Sequence, residues 1–370
     1  MDPRIRKLAD VLVQYSVALA RGDVVVIKAP PIASPLVAEL YRAVLEAGAH
    51  PHVRMGPNEL AEIMLKYGSD EQLEFISPLS MYEADSIDVS IGMWGEVNTK
   101  ALTNTDSEKH AKFSAARRPI VDRLMERFSR GEFRWTGTLF PTNASAQDAG
   151  MSLGEYEDFV FGAGFLDQPN PVAIWKQIEQ KQQQVVELLD GRKTLHLEAA
   201  NGTDLTMLVE GRKWINCSGK LNFPDGEVFT SPIKDSVNGT IAFSFPAVHM
   251  GNECEGVKLR FENGRAIEAT AEKGEDFLNK MIDQDEGACF VGEFAIGCNY
   301  NIQQYTRNTL FDEKIGGTVH LALGMALPEA GGLNKSGLHW DMVCDLRPGG
   351  RITVDGDVVH EDGKFTTVQL

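Results

Sequence analysis

The hydrophobic pattern of the first half of the chain alternates between short apolar runs and segments with helical spacing. Residues 24–27 form a continuous apolar run that predicts a buried strand. Ser34 and Pro35 predict a helix start, Gly48 predicts its end, and residues 52–55 predict the next strand. A strand, a helix and a second strand in this order form a β-α-β unit, which implies parallel pairing.

Later segments of the first half repeat this pattern. Residues 87–93 and 135–140 predict strands, with one charged helix predicted over residues 107–130 between them. An amphipathic helix over residues 172–189 then leads out of this half. We therefore predict that residues 1–188 form an α/β domain with a mostly parallel sheet.

The second half changes to strands separated by turn dipeptides. Apolar residues alternate on both sides of Asn201-Gly202, and Asn263-Gly264 and Asp355-Gly356 mark two further tight turns. Such alternation is typical of antiparallel strands with one buried face. Residues 189–370 are predicted to form a β-rich α+β domain, which we expect to carry a metal site.

That expectation rests on carboxylates and imidazoles placed among small and apolar residues of the second half. The candidate ligands are Glu227 in GEVFTSP, Glu293 in GEFAIG, His320 in TVHLALG, and His339 and Asp341 in GLHWD. Residues two apart in a strand share a face, so His339 and Asp341 can bind one ion. Taken singly, each group also fits a turn carboxylate or a hydrogen-bonded histidine. Burying all of them together is costly unless a cation compensates their charge.

These segments, together with NTLFDEKIGGT, GGLNKSGLHWD and the N-terminal GDVVVIKAP and LYRAVLEAGAHPHV, resemble the aminopeptidase T family of M29-type dinuclear metallo-aminopeptidases. The resemblance spans nearly the whole chain. It implies that Glu227, Glu293, His320, His339 and Asp341 hold two divalent ions, Zn, Co or Mn, whose bridging water attacks a peptide carbonyl. It further implies a peptide substrate with a free N-terminus, and a homodimer.

Two further positions bear on catalysis. Glu313 lies seven residues before His320 and is our candidate for carrying a proton to the leaving amine. The alternative is a surface carboxylate paired with Lys314 or Arg307. Members of the resembled family usually carry tyrosine seven residues after the first metal-binding histidine, where this chain has Leu327. Loss of a hydroxyl there predicts a peptidase of weakened activity.

Three of the five candidate ligands also fit a metal site with a different chemistry. His320, His339 and Asp341 alone would form the two-histidine, one-carboxylate triad that binds a single Fe(II) in non-haem oxygenases. Ring-cleaving dioxygenases of dihydroxypyridines resemble this aminopeptidase family. A mononuclear iron site, however, has no use for Glu227 and Glu293. A binding protein without metal is the third hypothesis, and so many donors beside glycines argue against it.

Composition, charge and the length of apolar runs argue against several other classes of protein. A net charge of −17 and a pI of about 4.9 argue against a nucleic-acid partner. The five cysteines include no CxxC pair, which indicates neither a disulfide framework nor a zinc knuckle. Apolar runs are too short to span a bilayer, and the first residues predict an amphipathic helix rather than a secretory signal. We predict a cytoplasmic protein that does not bind membranes.

Overall fold

The computed structural model describes residues 2–370 and divides into two compact units. One unit contains the chain up to Ala173 together with Gly219–Pro224, and the other contains Ile174–Ser218 and Asp225–Leu370. The sequence pattern predicted the domain boundary between residues 188 and 189. The difference is the long connecting helix, which belongs to the second unit from Ile174 onward, because Val185 and Leu189 are buried in that unit's apolar core.

The elements are numbered in chain order. The helices are α1 (Pro3–Val11), α2 (Ser34–Glu46), α3 (Glu59–Tyr67), α4 (Asp70–Glu74), α5 (Pro78–Ser86), α6 (Ser107–Ala116), α7 (Arg118–Ser129), α8 (Asn143–Asp148), α9 (Leu153–Ala163), α10 (Pro171–Leu189), α11 (Glu275–Ile282) and α12 (Thr309–Asp312). The strands are β1 (Val24–Ala29), β2 (His50–Met55), β3 (Val89–Trp94), β4 (Arg134–Leu139), β5 (Thr194–Ala199), β6 (Thr203–Leu208), β7 (Ile215–Cys217), β8 (Asn222–Phe223), β9 (Glu227–Thr230), β10 (Asn238–Ala242), β11 (Ala247–His249), β12 (Asn252–Cys254), β13 (Lys258–Glu262), β14 (Arg265–Thr270), β15 (Val291–Gly297), β16 (Thr318–Gly324), β17 (His339–Asp345), β18 (Arg351–Val354), β19 (Asp357–Glu361) and β20 (Lys364–Phe365).

The first unit contains a parallel sheet, as predicted. Its strands pair in the order β2-β1-β3-β4-β8, and every pairing is parallel. The single helix predicted over residues 107–130 was wrong, because the structure has two helices, α6 and α7, that meet at Arg117. Pro119 explains the break, since proline lacks the N–H that a continuous helix needs and its ring clashes with the preceding turn.

The second unit is built mainly from antiparallel strands, which confirms its predicted β-rich character. One sheet has the order β14-β13-β10-β6-β5-β18-β19-β20, and another has the order β17-β16-β15-β9-β7. The predicted turns at Asn263-Gly264 and Asp355-Gly356 both have two consecutive positive φ angles, 48° and 80° in the first and 49° and 91° in the second. That backbone matches the twist of the strands it joins.

A large apolar core lies in the second unit. It combines α10 and α11 with the inward faces of both large sheets. The central strands β15 and β16 are buried along their whole length. The five cysteines are free thiols. Within residues 2–370, no helix has the length and apolarity that crossing a membrane requires.

His360 supplies a pH-dependent prediction for the stability of this unit. Its ring is fully buried against the edge of Phe365, and neither ring nitrogen has a hydrogen-bond partner among residues 2–370. Burial lowers the pKa of His360 to about 4, from an ordinary value of about 6.5. The folded protein therefore stays unprotonated at His360 while the unfolded chain takes up a proton, so the free energy of unfolding falls as pH drops from about 6.5 to 4.

Replacing His360 with methionine should remove about 3 kcal/mol of this acid-induced loss. Urea unfolding at pH 7.5 and at pH 4.5, on both proteins stripped of metal, measures the effect. The other acid-sensitive groups are the same in both proteins, so the difference between them isolates His360. Equal losses of stability in the two proteins would contradict the prediction.

Candidate metal centre

One face of the five-stranded sheet brings the predicted ligands together. In the strand register, Ala322 lies opposite both Asp341 and Glu293, and Ala295 lies opposite His320. Glu227 lies opposite Gly297 on β15. Because directly opposed residues project from the same face, and so do residues two apart along a strand, all five candidates share one face.

Small residues lie opposite the ligands on neighbouring strands of this face. Ala322 lies between Asp341 and Glu293, Ala295 lies next to His320, and Gly297 lies next to Glu227. These residues add little volume above the sheet, so the longer carboxylate and imidazole side chains can converge over them.

The two glycines that precede the carboxylates serve close backbone packing. Gly226 has a φ of 129°, and a Cβ there would lie 2.6 Å from Cβ of Asn299. A Cβ on Gly292 would lie 2.2 Å from the carbonyl oxygen of Met325. Glycine at these two positions permits the close approach of neighbouring backbone segments.

The two histidines are held by backbone carbonyls. The Nδ1–H of His320 donates to the carbonyl oxygen of Glu313 at 2.9 Å, and the Nδ1–H of His339 donates to that of Met325 at 2.9 Å. In the neutral imidazole, this assignment of the ring proton leaves Nε2 as the nitrogen with a free lone pair. Metal-binding histidines are commonly oriented in this way by the nitrogen that does not bind the ion.

Both Nε2 atoms face carboxylate oxygens. His320 Nε2 lies 3.6 Å from Oε2 of Glu227 and 3.6 Å from Oε1 of Glu293. His339 Nε2 lies 3.3 Å from Oε2 of Glu293 and 3.6 Å from Oδ1 of Asp341. Glu293 thus points one oxygen toward each imidazole, which makes it common to two groups of potential ligands.

Those two groups are compact enough to bind ions. The first comprises Glu227, Glu293 and His320, and the second comprises Glu293, His339 and Asp341. In each group, one ligand atom per residue lies within 4.8 Å of the others. Oε2 of Glu227 and Oδ1 of Asp341 are buried and have no hydrogen-bond partner within the described part of the chain. Since unpaired buried oxygens are costly, these residues fit a centre completed by cations.

The pKa values of the clustered side chains reflect their burial and their closeness to one another. Burial disfavours the charged form of Glu293, but hydrogen bonds from His320 and His339 outweigh it and hold the pKa of this carboxyl at about 2. Burial likewise opposes protonation of the histidines, yet Glu293 and the nearby carboxylates raise the pKa of each to about 10. Burial raises the pKa of Asp341 to about 6 and that of Glu227 well above its usual range.

Glu313 lies at the edge of the cluster. One potential ligand atom from each of Glu313, His320 and Asp341 lies within 4.8 Å of the other two, and the Glu313 carboxylate also accepts a hydrogen bond from Lys314. Glu313 is therefore paired with Lys314, as in the alternative predicted from the sequence. The pair lies beside the candidate metal centre rather than on the protein surface. Arg307 pairs instead with Glu253, at 3.0 Å.

Sequence reasoning missed Lys314 and Asp225 as parts of this environment. Lys314 has no exposed surface, and its Nζ lies 3.8 Å from Glu227 and 4.0 Å from Asp225. Lysine is almost never fully buried without charged partners. The signal was the short, glycine-rich stretch that follows Lys314, which predicts close packing rather than a solvated turn.

Leu327 lies in the loop after β16. Its backbone N–H donates to Oγ of Ser231 at 3.1 Å, and that hydroxyl also donates to the carbonyl oxygen of Gly292. The Leu327 side chain is partly buried against Phe229 and Ala295. It therefore packs in an apolar cluster on the ligand-bearing face of the sheet.

A narrow recess reaches the centre beside Glu313 and Asp341. Its other lining residues include Pro246, Val248, Tyr305 and Arg307. The ring of Tyr305 stacks on Phe245 at a centroid distance of 5.1 Å. The recess places mixed polar and apolar side chains next to the candidate ligands, on the side away from the sheet's apolar core.

Comparison with known proteins identifies the family. The model of the thermophilic metalloproteases (M29) matches residues 1–366. Aminopeptidase T of Thermus thermophilus is 30% identical over 98% of this chain and 96% of its own length. Aminopeptidase AmpS of Bacillus subtilis is 29% identical over 98% of this chain and 97% of its own length.

Solved structures agree with this relationship. The chain superposes on wild-type AmpT from Thermus thermophilus with a TM-score of 0.85, at 26% identity, over 98% of this chain and 99% of that one. A 2,5-dihydroxypyridine dioxygenase from Pseudomonas putida superposes with a TM-score of 0.64 at 12% identity over 99% of this chain and 97% of that one, a similarity of fold alone. The resemblance seen in the sequence is confirmed, and the chain belongs to the M29 family of metalloproteases.

Proposed function

We propose that this metal-dependent aminopeptidase holds two divalent ions in the cluster and removes the N-terminal residue of a peptide. The observation that carries the proposal is the position of Glu293, whose two oxygens face different histidines. A carboxylate in that position fits a ligand shared by two ions. Glu227 and His320 would complete one ion's set, and His339 and Asp341 would complete the other's.

The oxygen and nitrogen donors of this set suit Zn, Co or Mn. When bound, such ions supply Lewis acidity toward a peptide carbonyl and lower the pKa of a coordinated water. The protein's own contribution is to hold the donors on four neighbouring strands and to exclude bulk water from the buried face. Ligands placed on a sheet keep their geometry better than ligands placed on loops.

Glu313 is our proposed proton carrier. Its carboxylate lies between the ligand cluster and the recess, where it can take a proton from the attacking water and deliver it to the leaving amine. The free amino terminus of the substrate would bind a metal ion or a carboxylate at the recess, where Glu313 and Asp341 lie. Cleavage would then be confined to the first residue of a peptide. We further propose that the active protein is a homodimer.

The mononuclear alternative has less support. The dioxygenase with a similar fold is only 12% identical to this chain, so it carries no argument about chemistry. One iron held by His320, His339 and Asp341 would leave the buried carboxylate of Glu227 without a cation beside Oε2. Metal stoichiometry distinguishes the two hypotheses.

Replacing Glu293 with alanine should remove the shared ligand, so the variant should retain one ion per chain at most. Release of leucine from the N-terminus of a peptide should fall by at least about 100-fold, because both ions are needed. Elemental analysis of protein purified without chelator, together with the leucine-release assay, measures both quantities. One iron per chain in the unaltered protein, kept in the variant and accompanied by no leucine release, would favour the oxygenase hypothesis instead.

Replacing Glu313 with glutamine should lower kcat by about 100-fold to 10,000-fold, as loss of a proton carrier does. Metal content should not change, because Glu313 is not among the proposed ligands. Glu262→Gln, an exposed change on β13, is the matched control and should keep full activity. If Glu313→Gln loses an ion, then Glu313 is a ligand and another group carries the proton.

We expect Leu327 to limit the rate of peptide hydrolysis without abolishing the activity. The leucine cannot donate a hydrogen bond to a developing oxyanion as the family's usual tyrosine can. We therefore expect Leu327→Tyr to raise kcat for leucine release while metal content stays constant. An unchanged kcat in a folded, metal-loaded variant would show that the missing phenol does not limit this enzyme.

A further inference from the structure

The buried ammonium of Lys314 is a feature that the proposed chemistry does not use. Its side chain has no exposed surface, and its ion-pair partners are Asp225, Glu227 and Glu313. Removing an ammonium from water costs several kcal/mol unless close anions compensate it. Three carboxylates around one ammonium resemble the surroundings of a bound metal cation.

A thiol lies beside two of these three carboxylates. Cys217 on β7 lies directly opposite Glu227 on β9, so their side chains share the ligand-bearing face. One ligand atom from each of Cys217, Asp225 and Glu227 lies within 4.8 Å of the other two. Two carboxylates and a thiol form a sufficient donor set for a borderline or soft divalent ion. This set adjoins the dinuclear cluster through Glu227.

The two oxygens of Glu227 have different neighbours. Oε1 lies 3.8 Å from Nζ of Lys314, whereas Oε2 lies 3.6 Å from Nε2 of His320. Oε2 is buried and lacks a hydrogen-bond partner among residues 2–370. The lysine therefore engages the oxygen that faces away from the histidine, and the other oxygen remains directed at the proposed ion.

We propose that the ammonium of Lys314 occupies a third cation position, formed by Cys217, Asp225 and Glu227, and so limits the centre to two metal ions. This inference rests on the proposed dinuclear function. In this role Lys314 is a positioning residue, because it acts through Glu227 and does not touch the substrate. It also keeps Cys217 away from metal, which preserves a centre of oxygen and nitrogen ligands alone.

Removing the ammonium should open the position to a metal ion. Apo-protein, prepared with chelator and then dialysed, is titrated with Co²⁺ while the near-ultraviolet absorbance of Co²⁺–thiolate bonds is recorded. The unaltered protein should bind two ions without a thiolate band. Lys314→Ala should bind three ions and develop the band, as the Cys217 thiol gives its proton to the buffer and its sulfur bonds to Co²⁺.

Two controls assign the signal. The double variant Lys314→Ala with Cys217→Ser should lose the band, because its oxygen donors give no thiolate absorbance. Lys314→Arg keeps a cation in the position, so it should bind two ions and show no band. A purely structural role for Lys314 would not produce a new sulfur–metal bond in any of these proteins.

A folded Lys314→Ala protein with two ions and no band would overturn the proposal. If Lys314→Ala does not fold alone, refolding with excess Cd²⁺ should restore its circular dichroism, since an ion would replace the ammonium. Failure to refold under that condition would also contradict the proposal. Failure of the dinuclear function is distinguishable, because it would appear as one ion per chain in the unaltered protein, whereas the thiolate band tests the lysine position alone.

Discussion

The structure depends on cations that compensate the negative charge buried on one face of a sheet. Glu227, Glu293 and Asp341 converge there with two imidazoles, and the three carboxylates are almost completely withdrawn from water. Buried carboxylates repel one another strongly because the protein interior screens charge poorly. Cations offset this repulsion, and the protein supplies one itself in Lys314.

The sheet provides the geometry in which that compensation works. Four adjacent strands contribute ligands, and their hydrogen-bonded register fixes the separations between side chains. Alanine and glycine next to the ligands leave volume where bulkier residues would fill the face. Backbone carbonyls of Glu313 and Met325 orient the two imidazoles, so the ring nitrogens that face the carboxylates are set before any ion binds.

The same considerations separate fold from chemistry. A dioxygenase shares this fold at 12% identity, and a shared fold does not by itself imply a shared chemistry. In the present chain, Glu227 and Glu293 share the ligand face with His320, His339 and Asp341. Glu293 in a shared position and Glu227 beside a buried lysine together favour two ions over one.

The amino-acid sequence by itself determined the elements and the donor set. Alternation, turn dipeptides such as Asn263-Gly264 and the spacing of His339 and Asp341 are local properties, so the β-rich unit could be predicted from them. The five candidate ligands follow from side-chain chemistry together with the resemblance to the aminopeptidase T family, and their role as ligands stays a prediction. Local pattern failed at Pro119, where the structure has two helices instead of the one predicted. It also failed for α10, because the residues against which this helix packs lie far from it in the sequence. Only the tertiary structure decided that Glu293 lies between both histidines, and that Lys314 and Cys217 adjoin Glu227. Those relations join residues far apart in the chain, and they arise from strand register and burial, which no single segment specifies.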